Sequence, residues 1–170
     1  MMNNSEPYHM RRNELEIKSE SKMFDIIRGQ RYLTLAMCRD DRPYLVSLNY
    51  GFDPVLRCFY FHCARTGKKI DILSANPFVW GQIIEDLGYV EGECEYNYRS
   101  VAFEGKVTFL DEVSDKRRAL EMMIEGYERD AEDAEDVKRS IIGTSSLDKV
   151  CVGRIQILSM TGKESLPKKK

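Results

Sequence analysis

Histidine and paired cysteine motifs are scarce in this chain of 170 residues. There are two histidines, His9 and His62, which is too few for the usual multi-histidine metal centre. The five cysteines are odd in number and include no C-x-x-C pair, which argues against a disulfide framework or a structural zinc site. We therefore expect no metal and reduced thiols, as in a cytoplasmic protein.

Long apolar runs, a strong net charge and nucleotide-binding glycine motifs are also missing. No apolar run approaches the length of a membrane span, and the first residues do not have the pattern of a secretory signal. The net charge is −2, with 26 Lys and Arg against 28 Asp and Glu, so no global attraction to nucleic acid or anionic membranes is expected. Neither a Rossmann nor a Walker glycine motif occurs. We expect a soluble cytoplasmic protein without a nucleic-acid or membrane partner.

The length and composition predict one domain with a substantial core. We expect a flexible N-terminal arm over residues 1–13, a folded domain over 14–163 and a basic tail over 164–170. The acidic stretch 128–136 is interpreted as solvated surface, and its role is left open.

Short runs rich in β-branched and aromatic residues predict strands. These strands are expected at residues 32–38, 44–50, 56–63, 78–84, 98–110 and 149–160. The connections at 39–43 and 51–54 are too short for crossover helices, so the first three strands should form an antiparallel meander. Residues 86–97 are predicted to be a polar connection, and Gly105 a bulge or barrel corner.

Helices are predicted at four places, namely 14–28, 66–75, from about Ser114 to Tyr127, and 131–142. Ser19 or Ser21 should cap the first helix, Gly29 should end it, and Ser114 should cap the third. The expected fold is mainly β, with a short helix after the third strand and a helical insertion before the last strand. A closed or nearly closed barrel would hide the edges of such a sheet.

The start of the helix after the third strand is the first candidate site. Residues 66–69 read Thr-Gly-Lys-Lys and follow the strand that ends near His62 and Ala64. A helix N-terminus offers unpaired N–H groups, glycine lets a ligand approach the backbone, and lysines attract an anion. This combination suits a phosphate group. Considered alone, however, Lys68 and Lys69 are slightly better explained as solvated helix positions.

Three further groups of residues carry weaker local signals. Leu48 and Asn49 end the second strand, where backbone groups and an amide suit the edge of a flat ligand, although Asn49 alone is better explained as a turn cap. Arg99 and Ser100 open the fifth strand and could bind a phosphate or a ring carbonyl, although on their own they are better explained as an exposed arginine and a turn serine. Cys63 is interpreted as structural, because neighbours on a strand point to opposite faces.

The order of several motifs makes the chain similar to a known family. The motifs are Leu-Ala-Met-Cys at 35–38, Arg-Pro-Tyr-Leu-Val-Ser-Leu-Asn-Tyr-Gly at 42–51, Phe-Tyr-Phe-His-Cys-Ala at 59–64, Gly-Lys-Lys at 67–69, Asp-Ile-Leu at 71–73, Asn-Pro at 76–77, Tyr-Arg-Ser-Val at 98–101 and Gly-Lys-Val at 105–107. Over roughly residues 11–163, this series resembles the pyridoxamine 5′-phosphate oxidase-like split-barrel proteins, most of all the branch related to nitroimidazole-resistance proteins.

The resemblance implies a six-stranded split β-barrel that forms a homodimer, with FMN bound at the dimer interface. It implies a phosphate site at Lys68 and Lys69, with the flavin ring and ribityl chain near the residues of the adjoining strands: Ser47, Leu48, Asn49, His62, Cys63 and Ala64. Arg99 and Ser100 fall where family members add contacts, and Lys163 matches a position that reaches the cofactor across the dimer.

The expected function is that of an FMN-dependent oxidoreductase that reduces a small acceptor, with a nitroaromatic compound as one candidate. His62 is our candidate for a catalytic polar group near the substrate. The C-terminal pattern with which true oxidases of the family bind pyridoxal phosphate is not evident, which argues against vitamin B6 oxidation. The alternatives are a non-catalytic flavin-binding or storage protein, a haem- or F420-binding barrel of the same group, and a ligand-sensing module without redox activity.

Overall fold

A computed structural model describes residues 10–128, 130–142 and 147–166 of the chain. Within them lie the eight strands β1 (Glu16–Ile17), β2 (Leu33–Arg39), β3 (Arg42–Leu48), β4 (Gly51–Asp53), β5 (Cys58–Cys63), β6 (Phe78–Val90), β7 (Glu95–Phe109) and β8 (Cys151–Ser165). The four α-helices are α1 (Glu20–Gly29), α2 (Lys68–Ala75), α3 (Val113–Tyr127) and α4 (Ala131–Ile141). Most of the predicted N-terminal arm, including His9, and the last residues of the predicted basic tail lie outside the described residues.

The strands form one antiparallel sheet in the order β3-β2-β6-β7-β8-β5-β4, with β1 paired to β8. The two ends of this order are β3 and β4, and in the described part of the chain no backbone ladder joins β3 to β4 or to β5. The predicted meander therefore does not continue from β3 to β5, which pairs with β4 and β8 instead. The sheet is therefore curled but not closed. The prediction of a mainly β split barrel, with one helix after the third long strand and two before the last, is confirmed.

The barrel interior is filled by side chains that alternate along the strands. The fully buried members include Leu33, Leu35, Phe59, Phe61, Ile83, Val101, Phe103 and Ile155. Glycine is required where two of the aromatic rings lie against the backbone. A Cβ atom on Gly81 would lie 2.0 Å from Phe103, and one on Gly153 would lie 2.3 Å from Phe61, both far inside van der Waals contact.

The helices cover this barrel from outside. Helix α1 adds Ile26 and Ile27 to the main core, and its N-terminus is capped by Ser19, whose hydroxyl accepts a hydrogen bond from the Lys22 N–H at 3.3 Å. Helix α3 packs on β4 and β5 around a second apolar cluster made of Cys58, Tyr60, Ala119, Met123 and Val152. Among the described helices, none has the length and apolar character that crossing a bilayer requires.

Two short strands were not predicted. Gly51–Asp53, expected to be a turn, is β4, and the turn follows it because the Asp53 carboxylate accepts hydrogen bonds from the N–H groups of Val55 and Leu56, each at 2.9 Å. Glu16–Ile17, expected to be helical, pairs with Lys163 and Gly162 as β1. Because Ile17 is buried in the core, packing overrides the helical pattern, and α1 begins only at Glu20.

The predicted polar connection at 86–97 and the predicted cap at Ser114 are wrong. Strands β6 and β7 continue through residues 86–97 as a hairpin, in which Tyr89 pairs with Tyr96. Helix α3 begins at Val113, with Glu112 at its N-cap position. The prediction at Gly105 is confirmed, since the register of β7 against β8 shifts between Glu104 and Gly105.

Candidate functional site

The segment between β5 and α2 leaves backbone N–H groups without a capping side chain. Gly67 is the N-cap residue of α2, and its φ of 125° lies in the region that favours glycine. Its carbonyl accepts a hydrogen bond from the Asp71 N–H at 3.1 Å, and no side chain in the described part of the chain caps this helix. The first N–H groups of α2 are thus suited to an anion.

Lys68 lies beside two arginines that the sequence motifs did not single out as site residues. Lys68, Arg39 and Arg42 line a shallow cavity of about 290 Å³, and the Lys68 ammonium lies 4.4 Å from the centre of the Tyr44 ring, a cation–π contact. The two arginines belong to the charged turn between β2 and β3. The composition of residues 39–43 predicted only a turn. In the structure, Arg39 and Arg42 pair across the hairpin, and both lie near the start of α2.

Carboxylates moderate this positive charge. Asp40 and Asp71 also line the cavity, so three cationic groups face two carboxylates and leave an excess of one positive charge. Arg39 is paired with Asp40 at 3.3 Å. Cationic side chains beside free helix N–H groups are the donor set that a phosphate monoester needs, and the residues present fit such a group.

Lys69 points to a different side of the helix start. Its ammonium lies 5.3 Å from the centre of the Phe61 ring, it is half-buried, and its charge acts on the thiol of Cys63. The two lysines therefore diverge in this structure. That both of them bind one phosphate stays a prediction.

The end of β3 presents Ser47 and Asn49 to the outside and Leu48 to the inside. Ser47 and Asn49 are exposed, whereas Leu48 packs against the barrel core, so its backbone is the part that remains available to a ligand. The Asn49 amide donates a hydrogen bond to the Arg31 carbonyl at 3.0 Å. This contact holds the side chain in place and leaves its oxygen as the group that can bind a ligand.

At the end of β5, the side chains of His62 and Cys63 point to opposite faces of the strand. His62 is exposed and lies on the outer face of the strand, whereas Cys63 packs against the core. Burial is the main cause that raises the pKa of the Cys63 thiol to about 11, and Lys69 opposes this rise. Ala64 follows in the exposed connection to α2. The expectation that neighbouring residues face opposite sides is met.

His62 and Asn49 meet at a cavity beneath the helical insertion. This cavity is about 320 Å³ in volume and is lined by Asn49, His62, Leu120, Met123, Ile124, Tyr127, Glu128 and Ile141. Most of these side chains are apolar, with a few polar groups that converge, which is the usual composition of a small-molecule site. The contribution of α3 and α4 was not predicted, because their apolar residues indicated only a core-facing side.

A network of hydrogen bonds fixes one wall of this cavity. The Tyr127 hydroxyl donates to the Arg31 carbonyl at 3.0 Å and accepts from the Tyr50 N–H at 2.6 Å. The Arg31 guanidinium donates to the Tyr127 carbonyl at 2.7 Å and lies 5.2 Å from the centre of the Tyr127 ring. The C-terminal turn of α3 is therefore joined to the β3–β4 junction, next to Asn49.

Arg99, Ser100 and Lys163 lie apart from this cavity. Arg99 makes a close ion pair with Glu85, and Ser100 is buried opposite Lys163. Val152 pairs with His62 and is separated from Lys163 by eleven positions of β8, which is about 36 Å along an extended strand. Within one chain, the two groups of predicted site residues therefore lie toward opposite ends of β8.

The sequence profile described as pyridoxamine 5′-phosphate oxidase matches residues 19–163 of the chain. This match covers strands β2 to β7, nearly all of β8 and the helical insertion. No curated protein matches the sequence.

Several solved structures share the fold. A candidate 5-nitroimidazole antibiotic resistance protein from Bacteroides thetaiotaomicron is 24% identical, with 88% of this chain and 86% of that chain covered and a TM-score of 0.71. An FAD-binding protein from Mesorhizobium loti is 22% identical, with 87% and 96% covered and a TM-score of 0.62. A protein from Mycobacterium smegmatis that binds FAD and haem is 15% identical, with 91% and 75% covered and a TM-score of 0.69.

Proposed function

Since the chain belongs to the pyridoxamine 5′-phosphate oxidase-like family, we propose that it is a homodimeric FMN-dependent oxidoreductase that reduces a small acceptor. The observation that carries this proposal is the start of α2, where uncapped helix N–H groups lie beside Lys68 and Arg42. That donor set suits the single phosphate of FMN. The known flavin-binding proteins of the same fold agree with a flavin as the ligand.

When bound, FMN supplies the redox chemistry, and the chain supplies binding and orientation. Lys68, Arg42 and the N–H groups of α2 bind the phosphate. The outward-facing Ser47 and the end of β3 position the remainder of the cofactor. The cavity of His62 and Asn49 then receives the acceptor, with its apolar wall excluding water.

His62 is the group best placed to serve the acceptor. Its imidazole is exposed at the cavity, and it can hold a hydrogen bond or supply a proton from a ring nitrogen. The apolar side chains of α3 and α4 suit a small ring compound, and a nitroaromatic compound is one such acceptor.

The homodimer is supported by exposed apolar side chains and by a divided site, meaning that the predicted site residues near His62 and near Lys163 lie toward opposite ends of β8. Leu45, Phe78, Trp80 and Ile84 are each more than half exposed on the outer face of β3 and β6. The register aligns Leu45, Ala36 and Trp80 across three strands, which makes one continuous patch. A second chain on this patch would bury it and would bring a distant Lys163 toward the cofactor.

The first test is the absorption spectrum of the purified protein, with mass identification of any released cofactor. A flavin spectrum and the mass of FMN are expected. A Soret band would mean that the cofactor is haem, and a deazaflavin spectrum would mean that it is F420. The double substitution Lys68→Glu/Lys69→Glu should weaken FMN binding about a hundredfold or more, since it reverses the charge of Lys68 at the phosphate and that of Lys69 at the same helix start. The matched control, Lys18→Glu/Arg28→Glu, changes the net charge equally at α1 and should bind FMN normally.

The second part of the test separates catalysis from flavin storage. His62→Ala should lower turnover of a nitroaromatic acceptor with NADH or NADPH as the donor, while FMN affinity changes little. Unchanged turnover would remove His62 from the proposal. An FMN-loaded native protein that reduces no acceptor would favour a storage role, and normal FMN binding by the double lysine variant would overturn the proposed phosphate site.

A further inference from the structure

Cys63 and Cys151 are directly opposite each other on neighbouring strands. Cys63 is the last residue of β5 and Cys151 the first of β8, and the antiparallel register pairs them. Opposed residues in antiparallel strands have Cα atoms about 4.5–5.5 Å apart, inside the range of about 4.4–6.8 Å that a disulfide spans. The Cys151 thiol is also close enough to act on the pKa of Cys63. A covalent bond between them therefore needs no large movement of the backbone.

The other cysteines lack this arrangement. The register places Cys38 opposite Pro43 and Cys58 opposite Gln156, and Cys94 is exposed in the turn of the β6–β7 hairpin. Cys58 is also fully buried, whereas Cys63 and Cys151 are half-buried. The paired thiols thus combine a partner with access for a small reagent.

The surroundings make this pair slow to react near neutral pH. The pKa of Cys63 is raised to about 11, mainly by burial, with Lys69 of α2 opposing the rise and the neighbouring Cys151 thiol adding to it. The attacking species in disulfide exchange is the thiolate. The reaction should therefore accelerate as the solution becomes more alkaline.

We propose that Cys63 and Cys151 are a redox-active dithiol site that small disulfide compounds convert to an intramolecular disulfide. One cysteine loses its proton to solvent, and its thiolate attacks a sulfur of oxidised glutathione. A mixed disulfide forms, and one glutathione leaves. The thiolate of the second cysteine then attacks the protein sulfur of that mixed disulfide and releases the second glutathione. Two protein thiols are oxidised, and one glutathione disulfide is reduced to two thiols.

This bond would join the start of β8 to the strand end from which the β5–α2 segment begins. The site would give the chain a two-electron couple of its own, only a few residues from the proposed phosphate-binding lysines. The inference does not depend on flavin binding, because the register and the exposure of the two cysteines belong to the chain alone.

The test uses the full chain, reduced and then freed of reductant, with oxidised glutathione as the probe. The intact mass should fall by two hydrogen atoms, and three of the five cysteines should be alkylated once the oxidised chain is denatured. Peptide mapping should give one cross-link, between Cys63 and Cys151, which dithiothreitol reverses. The rate should rise from about pH 7 to about pH 9, as the thiolate fraction increases.

Serine variants separate this pair from general thiol oxidation. Cys151→Ser should stop at a stable glutathione adduct on Cys63, because the resolving thiol is gone, and Cys63→Ser should give the mirror result. Cys38→Ser is the matched control and should form the cross-link at the native rate. A cross-link that involves Cys38, Cys58 or Cys94, a persistent glutathione adduct on the native chain, or no loss of thiols would each overturn the proposal.

Discussion

Tyr50 connects α1, α3 and the junction between β3 and β4. Its side chain is 5% exposed, its hydroxyl donates to the Ile27 carbonyl, and its N–H donates to the Tyr127 hydroxyl. Burial raises the pKa of Tyr50 above the usual tyrosine range, and Tyr127 adds to this. The hydroxyl therefore stays protonated and remains a donor at neutral pH.

Tyr50→Phe should lower the free energy of unfolding by about 1–2 kcal/mol near pH 7, since the Ile27 carbonyl loses its buried donor. Because the pKa is raised on folding, this contribution is complete below the pKa of an unfolded tyrosine, about 10, and declines as the pH rises above it. The difference between the two proteins in urea unfolding should therefore shrink by about pH 11. Tyr32→Phe, at a side chain 65% exposed, is the control that should change little. An equal deficit at both pH values would contradict this account.

At the scale of elements, Asp53 joins the β4–β5 turn to helix α3. Its side chain is 3% exposed. One carboxylate oxygen accepts from the N–H groups of Val55 and Leu56, and the other accepts from Arg118 of α3 at 3.0 Å. The helix that forms a wall of the proposed acceptor cavity is thus tied to the turn that precedes the strand of His62.

Asp53→Ala should destabilise the protein by about 3 kcal/mol, because two turn N–H groups lose their buried acceptor. Arg118→Ala should cost less than about 1 kcal/mol, since the Arg118 side chain is 60% exposed and exposed ion pairs contribute little. Urea denaturation of both variants measures the two costs. Equal costs would mean that Asp53 stabilises the protein through its ion pair with Arg118 and not through the turn.

The extension of β6 and β7 through residues 86–97 was not predicted from the sequence, and its exposure explains why. The hairpin has exposed side chains such as Leu87, Tyr89 and Tyr96. A strand that does not pack one face on a core lacks the alternation of apolar and polar residues that predicts strands. Its pairing is instead supported by cross-strand contacts, such as the Tyr89 and Tyr96 rings 6.2 Å apart, which depend on the register.

For the whole molecule, the question is whether one chain forms the complete site by itself. The exposed outer patch of Leu45, Phe78, Trp80 and Ile84 is the first feature that bears on this question. A single chain also holds His62 and Lys163 at opposite ends of the β8 ladder. Both features agree with a site that two chains complete.

Trp80→Glu should convert the proposed dimer to a monomer, because a carboxylate replaces the largest apolar side chain of the patch. FMN affinity should fall about tenfold or more if the partner contributes to the site. Analytical ultracentrifugation and FMN titration provide the two measurements. Val55→Glu, at a turn residue 86% exposed, is the control and should leave both unchanged. A native protein that is monomeric with FMN bound would refute the divided site.

The sequence alone was sufficient to predict the six long strands, the helix after β5, the bulge at Gly105 and the family resemblance. Alternation of buried side chains and turn residues are local signals, so they are readable along the chain. The tertiary structure alone decided that Ile17 and Gly51 belong to strands, that Lys68 and Lys69 diverge, and that Arg42 joins the start of α2. It also placed α3 and α4 over His62 and separated Lys163 from it. Each of these depends on contacts between residues distant in the chain, and such contacts leave no periodic pattern in the sequence.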